Sequence, residues 1–161
     1  MKKLLYCLLA VCVGAAIGLT YITKTHSSPP MQTFFSSPLA VANNPLHVAV
    51  AATPKQMQQG LSDIRSMGEN EGMLFIYGNT GIPTFWMKDM WFDLDFIWIK
   101  NGVVAAITKN APAPAVDNNG KKINSNLTLY SPPSAIDQVL EVRSGWAERH
   151  GIKVGDAVER K

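Results

Sequence analysis

Lys88, Asp89, Asp93 and Asp95 fall within eight residues of an otherwise apolar and aromatic stretch, and chemistry in this chain would reside among them. Arg65, Glu141 and Arg143 stand further off as available partners. On an extended strand Asp93 and Asp95 share one face. Neighbouring carboxylates raise one another's pKa, so one can keep a proton while the other accepts one. That reading gives a hydrolase-type carboxylate site around Asp95, with Asp89 or Asp93 as the second group. The preferred reading is structural, because a charge beside a core needs a partner. Asp95 is then expected to be partly buried, paired with Lys88 and opposite Thr108. The ligand-binding candidates are Lys88, Asp89, Asp95, Trp86 and Arg65, and no catalytic residue is assigned. Trp86 and Trp91 read as core residues rather than as a platform for a sugar.

Other chemistries lack their residues. The chain has no Gly-x-Ser-x-Gly, no phosphate-binding glycine loop and no His-Glu-x-x-His. Its two cysteines, Cys7 and Cys12, lie in an N-terminal apolar run, so the domain has neither a disulfide nor a thiol nucleophile. His26, His47 and His150 are scattered and read as surface residues. Neither a metal nor a cofactor is expected. The net charge of +3 comes from Lys2, Lys3 and Lys24, leaving 12 basic against 12 acidic residues from position 30 onward. A neutral domain gives no footprint for nucleic acid.

The elements that must position these groups are mostly strands. Residues 71–107 hold three of the four tryptophans, and each large aromatic buries on the order of 150–250 Å², so this stretch forms the core. Asn101-Gly102 between two apolar runs predicts a type I′ hairpin. In the simplest register Lys100 faces Val103, Trp98 faces Ala105 and Phe96 faces Ile107. Leu94, Phe96 and Trp98 then share one face and Asp93, Asp95, Ile97 and Ile99 the other, which predicts a central hairpin covered on both sides. A strand over 46–52 is followed by Thr53-Pro-Lys-Gln56, a capping box that starts a short helix ended by Gly60. Further strands are expected over 72–77, 84–87, 127–130, 137–143 and 152–158. A short helix capped by Ser144 and closed by Gly151 precedes the last of these. Residues 109–126, rich in Ala-Pro and Asn, read as a mobile surface excursion. The fold class is α+β, mostly β: a small, partly closed antiparallel β-barrel or rolled sheet with one or two short helices.

These motifs resemble domain of unknown function family number 192, small prokaryotic domains of which many are exported. The resemblance rests on Gly60-Leu61, Gly72-Met73-Leu74-Phe75, Phe85-Trp86-Met87-Lys88, Leu94-Asp95, Val139-Leu140-Glu141-Val142 with Gly145, and Gly151-Ile152 with Gly155-Asp156. It spans residues 46–160 and implies a compact β-rich domain with no established activity. The chain departs from the family's pattern at Ser62, Ile64, Asp89, Met90 and Asp93.

The chain divides into an export signal or anchor at 1–22, a Pro/Ser/Thr-rich tether at 23–45 with an incidental Phe34-Phe35 pair, and a single globular domain at 46–161. Leu4 to Ile22 is uncharged, near the roughly 20 residues needed to span a bilayer, which favours an uncleaved anchor over a signal peptide. Two lysines before this run and one after it place the domain outside, on the periplasmic or cell-surface side of the cytoplasmic membrane. The expected function is an extracytoplasmic, membrane-tethered accessory or ligand-binding domain, with a carboxylate enzyme or a structural partner of an envelope complex as alternatives. Its expected partners are the membrane, through residues 4–22, and a small molecule, glycan or protein.

Overall fold

The computed structural model describes residues 34–161 except 63. The expected anchor and most of the expected tether, including Cys7, Cys12 and His26, lie outside the described residues. Among these residues nine strands and two short helices follow in order: β1 (Ser37–Val41), β2 (Asn44–Ala51), α1 (Pro54–Gln59), β3 (Glu71–Gly81), β4 (Phe85–Trp86), β5 (Leu94–Lys100), β6 (Val103–Ala111), β7 (Leu129–Tyr130), β8 (Ile136–Arg143), α2 (Trp146–Arg149) and β9 (Val158–Arg160). Seven strands form one sheet in the order β6-β5-β8-β3-β2-β1-β9, and β4 with β7 forms a second ribbon. The large sheet curls until its two edge strands approach. Val103 and Ala157 form a bridge there, and the Val158 and Val104 N–H groups donate to Gly102 O and Asp156 O at 2.8 and 2.9 Å. This is the expected partly closed, mostly β architecture, with one departure: β2 and β3 pair in parallel, because the segment carrying α1 crosses over between them.

Both faces of the sheet are covered, as the hairpin's two apolar faces require. Leu39, Leu46, Leu74, Ile97, Leu140 and Trp146 belong to one buried cluster, whereas Met73, Phe75, Leu94, Phe96, Trp98 and Val139 belong to the other. Side chains alternate between clusters along β3, β5 and β8, so each strand contributes to both. Gly72, where β3 crosses β8, has no room for a methyl group: an added Cβ would lie 2.7 Å from the backbone oxygen of Glu141.

Several sequence expectations need correction. Ser37–Val41, assigned to the tether, is a strand lying between β2 and β9, and Phe35 is buried with its ring 5.0 Å edge-on from Phe34. The ordered domain therefore begins before residue 46, and a chain started there would lose an interior strand of the sheet. The hairpin keeps Lys100 opposite Val103, but a bulge beyond Ile99 shifts the register, so that Trp98 faces Ala106, Ile97 faces Ile107 and Phe96 faces Thr108. The bulge also sets Thr108 Oγ1 2.9 Å from Trp98 Nε1, giving the buried indole its acceptor. Gly145 in a left-handed conformation, not Ser144, precedes α2, and Ser144 Oγ pairs with Asn110 instead. The last strand is short, because 153–156 is a turn; pairing resumes at the Ala157 bridge, and the strand itself covers only Val158–Arg160. The excursion is pinned: Ala113 N–H donates to Asp93 at 2.7 Å, and Lys122 lies 4.5 Å from the Trp91 ring.

Candidate functional site

The helix α1 forms where the capping box predicts. Gln56 N–H donates to Thr53 Oγ1 at 3.3 Å, and Thr53 N–H donates to Gln56 Oε1 at 3.0 Å. Its termination at Gly60, with φ of 51°, turns the chain over Phe75. Facing α1 is the ribbon of β4 and β7, in which Phe85 pairs with Tyr130 and Trp86 with Leu129. Strand alternation decides what those two aromatics do. Phe85 points inward, its ring 5.1 Å from Phe75 and 5.5 Å from Phe96. Trp86 points outward and is 57% exposed, which corrects its assignment to the core.

Between α1 and β4 lies a cleft of about 280 Å³ lined by Gln58, Gln59, Tyr77, Phe85, Trp86 and Glu141 among others. It shares Gln58, Gln59, Ser62 and Trp86 with an outer cleft of about 440 Å³ that adds Lys55, Lys88 and Asp89. The inner end is aromatic and acidic, and the outer end carries both lysines. Lys88 Nζ stands 6.0 Å from the Trp86 ring, the distance at which a cation is drawn to an aromatic face. Ser62 Oγ donates to Lys88 O at 3.3 Å and ties the two rims together.

Glu141 is the unusual group. It sits on a central strand between Met73 of β3 and Phe96 of β5 and is 5% exposed. Among the described residues no cation stands within ion-pair distance of its carboxyl. Burial pushes its pKa up to about 8, so the carboxyl is largely protonated at neutral pH. Tyr77 beside it is raised to about 12, first by burial and then by the charge Glu141 would carry.

The predicted site residues separate into two groups. Trp86, Lys88 and Asp89 line the double cleft. Asp95 and Arg65 do not. Asp95 is fully buried on the opposite face of the sheet, where its two oxygens accept the Asn110 and Ala147 N–H groups at 2.9 and 3.1 Å. The expected pair with Lys88 is absent, because Lys88 belongs to the cleft and strand alternation turns Asp95 the other way. Asp93 is exposed and caps Ala113, so no carboxylate dyad forms with Asp95. Arg65 stacks 3.6 Å from the Trp91 ring, opposite no carboxylate of the cleft. Asp89, with φ of 58°, exchanges hydrogen bonds with Asn124 and so fastens the excursion to the cleft rim. Among the described residues no group of His, Cys, Asp and Glu is placed to hold a metal ion. Glu141, Tyr77, Gln58 and Gln59 do not stand out as a site in the sequence. The available signal was an acid at an inward position of the apolar run Val139 to Val142.

A family model described as DUF192, Uncharacterized ACR, matches residues 38–160. A crystal structure of a protein of unknown function from Novosphingobium aromaticivorans DSM 12444 is similar, with 28% identity, 76% of this chain and 83% of that chain covered, and a TM-score of 0.64. Another, from Sinorhizobium meliloti 1021 and described as a proposed transcription regulator, has 29% identity, covers 78% of this chain and 95% of that chain, and gives a TM-score of 0.63. No curated protein matches the chain by sequence.

Proposed function

We propose, on the premise that this chain belongs to the DUF192 family, that it is a membrane-tethered domain on the outer side of the cytoplasmic membrane that binds a small organic molecule. The binding site is the cleft between α1 and β4. One observation carries this reading: an exposed Trp86 and a buried Glu141, with no ion-pair partner among the described residues, line the same concavity. An aromatic that faces water beside a recess gains by covering, and a buried carboxyl without a protein partner is completed by a ligand. The clefts hold enough space for a small metabolite, and their glutamine, serine and tyrosine side chains supply both donors and acceptors. A carboxylate enzyme centred on Asp95 is disfavoured because both its oxygens are used and neither reaches a cleft. The equal numbers of acidic and basic residues in the domain give no support for carrying over the regulator description of the Sinorhizobium protein.

A thermal-shift screen of small polar metabolites on the full chain in a neutral detergent tests the site. A ligand at 100 times its Kd adds about 2.7 kcal/mol of stability, and Trp86→Ala should abolish that shift while leaving the unliganded melting temperature nearly unchanged. A shift that survives Trp86→Ala would move the site elsewhere. The tether is tested by protease added to spheroplasts, which should digest the domain; full protection would reverse the topology drawn from the lysines around residues 4–22.

A further inference from the structure

We infer that the ligand of this cleft carries a single organic ammonium group, seated among Phe85, Tyr77 and Trp86 against Glu141. The inference deepens the binding reading above and rests on it. Two features of the site select a cation. The first is Glu141, an acid nine-tenths buried, lining the recess and with no cation beside it among the described residues. A site for a neutral sugar or an anion would gain nothing from an acid there, because a glutamine offers the same hydrogen bonds at far lower desolvation cost. The second is the aromatic wall, since ring faces hold ammonium groups by their quadrupoles and most strongly where water is excluded. The lysines also limit the class. Lys55 and Lys88 at the outer end repel a second positive charge, so the far end of the ligand is neutral or acidic.

The groups facing Glu141 fix how binding depends on pH. Among the described residues Tyr77 from β3 is its only titratable neighbour within the inner cleft; α1 presents the uncharged Gln58 and Gln59, β4 presents Trp86, and β5 presents Phe96. Lys88 stands in the outer cleft, and Arg143 on the same strand is turned to Met67 O at 3.1 Å. An arriving ammonium ion favours the ionised carboxylate, so it displaces the proton Glu141 holds in the free protein. Affinity therefore rises with pH until Glu141 is ionised without help, and one proton at most is released for each ligand bound.

The test is isothermal titration of the full chain, in a neutral detergent, with choline and with its uncharged isostere 3,3-dimethylbutanol, at pH 6.5 and 8.5. Choline should bind at both values and at least about tenfold more tightly at pH 8.5, as expected when a proton held with a pKa near 8 must leave. The isostere should bind much more weakly and without pH dependence. Glu141→Gln should retain the fold, lose the pH dependence and weaken choline without changing the isostere. Equal binding of choline and 3,3-dimethylbutanol would overturn the cation and leave the cleft a binding site. Binding of neither compound would overturn the cation, and the screen with Trp86→Ala then decides separately whether the cleft binds anything.

Discussion

Asp95→Asn should lower the stability of the domain by about 3 kcal/mol, although it removes no salt bridge and changes the side chain's size hardly at all. Asp95 sits on β5 facing the cluster that holds Trp146, and its carboxylate joins two distant pieces of backbone: the Asn110 N–H at the end of β6 and the Ala147 N–H in the first turn of α2. Both donors are backbone amides, fixed in direction by the chain. An asparagine has one carbonyl oxygen to offer, and its amide nitrogen must face the other N–H, donor against donor. Each hydrogen bond to a charged acceptor is worth about 1.5–3 kcal/mol, and a buried donor left unmet costs about 1–3 kcal/mol. Asp93→Asn is the control. Its carboxylate is exposed and accepts only from Ala113, so water can replace it, and the loss should stay below about 1 kcal/mol. Urea denaturation of the two variants measures both effects. An Asp95→Asn midpoint equal to that of Asp93→Asn would show that α2 is not held by this carboxylate.

The second large effect is a loss of stability with rising pH that a single residue controls. In the folded protein Glu141 keeps its proton up to about pH 8, whereas the unfolded chain releases it near 4.5. Between those two values the folded state binds more protons, so folding stability must fall as pH rises; below the window both states are protonated, and above it both are ionised. A proton held across one pH unit is worth about 1.4 kcal/mol, so the whole window amounts to something on the order of 3–5 kcal/mol. Glu141→Gln should be close to the natural protein at pH 4.5, more stable than it at pH 9, and flatter in between. The experiment is a series of urea melts at half-unit steps of pH. Parallel curves for the two proteins would mean that Glu141 ionises in place at its ordinary value, with water reaching it through the cleft.

How far the sequence reached depends on the range of the forces involved. The capping box of α1 and the Asn-Gly hairpin were legible because a few neighbouring residues determine each of them. The two-sided burial of β5 was legible for the same reason: strand alternation is a local property. β1 was not, since Ser37-Pro-Leu-Ala-Val41 follows a Pro/Ser-rich segment and becomes a strand only by inserting between β2 and β9, more than a hundred residues apart. The register beyond Ile99 escaped because a bulge is chosen by packing, here by the distance from Trp98 to Thr108. The cleft is assembled from α1, β3, β4 and β8, so no window of the sequence contains it. Trp86 and Lys88 were marked by type alone. Asp95 was assigned a structural role for a sound reason, the need of a buried charge for partners, and the wrong partner was named because Lys88 was nearer in sequence than Ala147.

The seam between β1 and β9 also fixes the order in which this protein can be made. Among the described strands β1 emerges first and β9 last, and Leu39 waits for Arg160, Ala40 for Glu159 and Val41 for Val158. At about 5–20 residues per second of synthesis, that wait is on the order of 10 s. Throughout it β1 offers an unpaired edge, open to any other extended chain. A sheet whose first and last strands are neighbours has high contact order and folds on the slow side, in milliseconds to seconds once complete. Folding during synthesis is thus disfavoured. It also makes Val158–Arg160, which touch neither cleft nor carboxylate, the residues that decide whether the sheet closes or pairs with a neighbour.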